Sequence, residues 1–201
     1  MLQSNFLARF AKLIFGLFIY GIGVAMMVDA QIGISPWDVL AQGISRQTGL
    51  TFGQATVFVS AMVLLLWIPL RVKPGLGTVM NAILIGVFAD LAMPYIPEPT
   101  VYWQQLTLFL AGMLLISYAT GLYISCGMGK GPRDGLNMGL ASRFKSPFWK
   151  ARTAVEIVVV TVGFILGGQV REGTLIFALA IGYLNQLAMR LFGLADKSGR
   201  V

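Results

Sequence analysis

The chain has no histidine and a single cysteine, Cys126, and only 11% of its 201 residues carry charge. The missing histidines exclude haem ligation by imidazole, zinc sites of the usual mixed type and any Ser–His or Cys–His catalytic pair. One cysteine excludes a disulfide within the chain. A soluble domain usually carries about 25% charged residues. With 57% hydrophobic residues and a mean hydropathy of +0.78, the composition is that of a membrane protein. No long or low-complexity linker interrupts it, so residues 1–201 read as a single membrane domain.

A helix needs roughly 20 apolar residues to cross a bilayer core. Six segments meet that length approximately: Ala11–Asp29, Thr51–Leu70, Leu76–Met93, Gln104–Ser125, Ala151–Gly168 and Gly173–Phe192. The first resembles a signal peptide, with Arg9 and Lys12 ahead of an apolar run. It is long enough to span and lacks a clear small-residue cleavage site, so it is expected to stay as a membrane helix. With the N-terminus inside, thirteen of the fifteen Lys and Arg residues fall on the inner side, among them Lys145, Lys197 and Arg200. Only Arg46 and Arg171 fall outside. Both termini are therefore expected in the cytoplasm. The net charge of +7 follows from that topology and needs no nucleic acid.

"GISPWDVLAQG" at Gly33–Gly43 shares the frame G-x-x-P-x-D-x-L-x-x-G with "GKGPRDGLNMG" at Gly129–Gly139, 96 positions later. The offset continues without a gap: Gly16 with Gly112, Gly77-Thr78 with Gly173-Thr174, Gly86 with Gly182, and Leu91–Met93 with Leu187–Met189. The chain thus reads as two copies of one unit, about 11–93 and 104–192. Each is span, short motif helix, span, span. A motif helix of about 12 residues is roughly 18 Å long, too short for about 30 Å of hydrocarbon. Three spans per copy make the second copy enter upside down. The expected fold is all-α, six transmembrane helices as two inverted three-span repeats, each with a short non-spanning motif helix.

The motif has two readings, and they are compatible. Ser35 fits an N-cap, Pro36 the first helical position and Asp38 the third, where it reaches back to the cap; Gly131, Pro132 and Asp134 take the same places. The same geometry exposes backbone N–H groups to a carboxylate or phosphate. The copies differ where a solute would notice, Trp37 against Arg133 and Ala41 against Asn137. Candidate solute-binding residues are therefore Ser35, Pro36, Trp37, Asp38, Pro132, Arg133, Asp134 and Asn137. Arg133 is the expected anion partner, because its planar fork holds a carboxylate bidentately.

Asp90, Glu156 and Gln186 are polar residues at helix depth and are further candidates. Each also has a structural reading. Glu156 is one turn from Arg152, and Asp90 lies near the outer boundary.

"GISPWDVLAQG", "GTVMNAILIGVFADL" and "GKGPRDGLNMGL" together resemble the YczE/YyaS/YitT family of bacterial integral membrane proteins, over nearly the whole chain. The resemblance implies a bacterial cytoplasmic membrane location. Family members often lie beside regulators similar to aminotransferases, which implies a small-molecule context. It supplies no site. The expected function is a carrier or permease for a small anionic or zwitterionic solute. The alternatives are a substrate-binding membrane subunit of a larger importer and a non-transporting accessory protein. No enzyme activity, metal or cofactor is expected; the expected partners are the lipid bilayer and a small solute, with homo-oligomers left open.

Overall fold

A computed structural model describes residues 2–146 and 148–194. Among them all regular structure is helical: α1 (Leu2–Asp29), α2 (Pro36–Thr48), α3 (Phe52–Leu70), α4 (Leu76–Ala92), α5 (Tyr102–Ile124), α6 (Pro132–Arg143), α7 (Phe148–Ile165) and α8 (Glu172–Leu191), with a 3-10 turn at Met93–Tyr95. Lys197, Arg200 and the C-terminus lie outside the described residues.

Five of these helices, α1, α3, α4, α5 and α8, are long and apolar enough to cross a membrane. Their outward faces carry large apolar side chains such as Leu179 and Leu191. The remaining expected span, Ala151–Gly168, corresponds to α7. That helix has 18 residues and carries three charged side chains, Lys150, Arg152 and Glu156, in its first half.

The motif helices start where the sequence places them. Ser35 caps α2 with extended backbone, and its Oγ accepts from Asp38 N–H. Asp38 answers through its side chain, accepting from Ser35 Oγ at 2.5 Å. Gly49 ends α2 in the left-handed region at φ 72°. Pro132 opens α6 after Gly131, which offers no side-chain cap. At 13 and 12 residues, neither helix can span.

Helices α1 and α5 form the centre. Gly23 and Gly112 let their backbones approach: a Cβ on either would sit 2.7–2.8 Å from the other's carbonyl oxygen. Helix α4 packs on α1 and α8 on α5, while α2 packs on α7 and α6 on α3. Each motif helix thus lies against a long helix from the other half of the chain.

The 96-residue offset recurs in the backbone. Gly173 N–H donates to Ile32 O at 2.7 Å, and Gly77 N–H donates to Met128 O at 2.7 Å. These are the same two positions exchanged between the copies. Eight of the nine described residues with positive φ also come in offset pairs, Gln31 with Gly127, Gly33 with Gly129, Gly49 with Lys145, and Arg71 with Gly167, while Gly193 stands apart. One correspondence fails. Helix α3 is sealed to α4 where Gly86 meets Gly53, whose carbonyl oxygen would lie 2.4 Å from a Cβ on Gly86. Among the described residues α7 and α8 barely touch, and a Cβ on Gly182, the offset mate of Gly86, would meet nothing within 4 Å.

Candidate functional site

Where the starts of α2 and α6 converge, the chain encloses a cavity of about 80 Å³. That is well above the roughly 10–15 Å³ that a single water needs, so it has room for several waters or a small solute. All eight helices contribute to its wall. Much of the wall consists of residues 96 positions apart: Pro36 and Pro132, Trp37 and Arg133, Thr56 and Arg152, Ser60 and Glu156, Ile85 and Ile181. Within these pairs every charged member belongs to the second copy. The cavity is therefore lined largely by offset-related positions and is lopsided in charge.

An ion pair ties the two motif helices together. Arg133 Nη2 lies 2.9 Å from Asp38 Oδ1, with Asp38 almost fully buried. The guanidinium also sits 5.6 Å from the centroid of the Trp37 ring, in range of a cation–π contact. The expected exchange of Trp for Arg between copies thus becomes a direct contact between them. Trp67 of α3 fixes α6 from outside by donating from Nε1 to Pro132 O at 3.0 Å. Gly135 makes room for the Trp67 ring, which would lie 2.0 Å from a Cβ at that position.

The other candidates separate into two groups. Ser35, Pro36, Trp37, Pro132, Arg133, Asp134, Asn137 and Glu156 line the cavity, and Asp38 supports it through Arg133. Glu156 is also held by Arg152 at 2.8 Å, one turn away. Asp90 and Gln186 do not line it. Asp90 bonds to Thr51 Oγ1 and accepts from Gly53 N–H at 2.7 Å, so it ties α4 to the start of α3. Gln186 is half-buried on α8.

Asp134 has no hydrogen bond or ion pair among the described residues. Burial pushes its carboxyl above the usual carboxylate range, against the opposing pull of Arg152, Arg133 and Lys130. One turn further along α6, Asn137 is 2% exposed and its Oδ1 has no hydrogen-bond partner. Asn185 Oδ1 is in the same condition on α8. Among the described residues no group of three His, Cys, Asp or Glu side chains is placed to hold a metal ion.

Tyr20, Tyr123, Thr56 and Thr120 line the cavity and were not among the sequence candidates. No spacing marks Tyr20 or Tyr123, since an apolar span hides which face is inward. Thr56 and Ser60 do carry a signal: polar residues stand at both their positions and at the offset mates Arg152 and Glu156.

A family model described as a family of unknown function, DUF6198, matches residues 7–190. An uncharacterized protein of Haemophilus influenzae is 39% identical over 89% of this chain and 82% of its own length. Two Bacillus subtilis proteins are each 28% identical. The uncharacterized membrane protein YczE matches over 94% of this chain and 88% of its own length, and the uncharacterized protein YyaS over 87% and 89%. No solved structure matches. The motif resemblance therefore extends over the whole fold, and the chain belongs to the DUF6198 family, with YczE and YyaS among its relatives, as a multi-pass helical membrane protein whose family has no assigned function.

Proposed function

We propose that this protein is a carrier, not an enzyme, moving a small charged solute through the central cavity by alternating access. In this reading α7 is the sixth span, both termini are cytoplasmic and the two copies are inverted. The observation that carries it is the mismatch between equivalent seams: α3 is closed on α4 while α7 stands away from α8. Two copies of one unit in different arrangements around a shared polar cavity fit one state of a carrier whose other state exchanges the arrangements. The reciprocal Gly77–Met128 and Gly173–Ile32 bonds support it, because they give both copies the same attachment at the centre.

The test uses spin labels at exposed, offset-related positions, Leu65 with Ile83 and Thr161 with Leu179, each pair in a Cys126→Ser chain in nanodiscs. A carrier gives two distances for each pair, and conditions that lengthen one shorten the other. A single distance for each pair under all conditions would contradict alternating access.

A further inference from the structure

The sequence points to an anion at Arg133, but the acids and acceptors around the cavity point to a cation. Both arginines in its wall already hold a carboxylate, Arg133 that of Asp38 and Arg152 that of Glu156. Asp134 is the acid of the wall with no hydrogen bond or ion pair among the described residues, Arg152, Arg133 and Lys130 acting on it only at longer range. Asn137 lies on the same face of α6, three residues on. Its buried Oδ1 lacks a donor, as does Asn185 Oδ1 on α8 in the same wall. An unpaired acid and two oxygen acceptors without donors all ask for a group that gives protons and carries positive charge.

Two aromatic residues support the same reading. Tyr20 of α1 and Tyr123 of α5 both line the cavity and pack edge-on, with ring centroids 6.4 Å apart. Aromatic rings beside a desolvated acid attract an ammonium through the ring quadrupole. Lys130, the nearby protein ammonium, is exposed and turned to Met138 Sδ at 3.0 Å, and it is not part of the wall.

We propose that the solute carries an ammonium group, held by Asp134 with the side-chain oxygens of Asn137 and Asn185 and capped by Tyr20 and Tyr123. The proposal rests on the carrier reading only for calling the ligand a solute in transit. Of the two classes expected from the sequence, a zwitterion then fits and a plain anion does not. A carboxylate on the same molecule would take up the remaining donors of Arg133, which uses only Nη2 on Asp38.

The experiment is a thermal-shift series on the purified full-length protein at constant ionic strength. The probes are β-alanine, propylamine and propionate, which are similar in size and differ in charge. β-Alanine and propylamine should raise the melting temperature and propionate should not, since only a ligand of the folded state stabilises it. Asp134→Asn should weaken the β-alanine response by roughly tenfold or more in apparent affinity, as expected when one partner of a desolvated charge pair is removed. Asn137→Ala should weaken it less. A propionate shift equal to that of β-alanine would make this an anion site and overturn the proposal. So would the absence of any shift with both amines, or a wild-type β-alanine response in Asp134→Asn or Asn137→Ala. The spin-label distances need no ligand, so failure here leaves the carrier reading standing and failure there leaves this one.

Discussion

Arg133 pairs with Asp38, 95 positions away, and not with Asp134 beside it. Adjacent residues on a helix do not face each other. The arginine therefore turns out of its own helix and reaches the other motif. The consequence is a division of labour between two acids that look equivalent in sequence: Asp38 holds the halves together, and Asp134 faces the cavity.

Asp38→Asn and Asp134→Asn should therefore differ in the protein without ligand. Removing the Asp38 charge strands a half-buried guanidinium and weakens the Ser35 bond, at a cost of about 2 kcal/mol once solvent at Arg133 is allowed for. Removing the Asp134 charge relieves a half-buried carboxylate that has no ion pair among the described residues, so the melting temperature should hold or rise. Thermal unfolding of the two variants in one detergent decides it, and equal losses would return both residues to helix capping.

Arg133→Lys should lose stability even though it keeps the charge. A lysine ammonium can meet Asp38 but cannot also lay a planar guanidinium against Trp37. A double-mutant cycle on Arg133→Gln and Asp38→Asn should give a coupling of about 1–3 kcal/mol. Additive losses would mean that the pair contributes nothing.

Gly86→Ala and Gly182→Ala occupy offset-related positions and should behave differently. The first drives a methyl group against Gly53 O and should cost about 1–3 kcal/mol. The second enters open space and should stay within about 0.5 kcal/mol of the wild type. Comparable melting temperatures for the two would show that the seams are alike.

Much of the architecture is legible in the sequence because hydropathy and caps act locally. The expected Leu76–Met93 and the observed α4, Leu76–Ala92, differ by one residue, and Pro36 and Pro132 open their helices as read. The ends set by tertiary packing and water are less legible: α1 begins at Leu2, well before Ala11, where a polar stretch continues the helix outside the apolar run. The site is legible only in part. A repeated P-x-D frame marks two helix starts, but nothing local states that they meet or that Arg133 crosses to the other copy. Asp90 shows the opposite case. An acid at helix depth suggested function, and the structure gives it Thr51 and Gly53 to hold.

Asp90→Asn should loosen the α3–α4 seam. The bonds to Thr51 and Gly53 lose their charge, and hydrogen bonds to a charged group are worth about 1.5–3 kcal/mol. In the Leu65–Ile83 spin-labelled pair this should raise the population of the longer distance. An unchanged distribution would show that Asp90 does not govern the seam.

The most direct test of the carrier account is the accessibility of one cavity residue from both sides of the membrane. Ser60 lines the cavity and is 6% exposed, and Ser60→Cys in a Cys126→Ser chain places one thiol there. A membrane-impermeant maleimide is applied to right-side-out and to inverted vesicles. Alternating access predicts labelling in both preparations, at rates that shift in opposite directions when Asp90→Asn is added. Labelling from one side only, or from neither, would contradict the account.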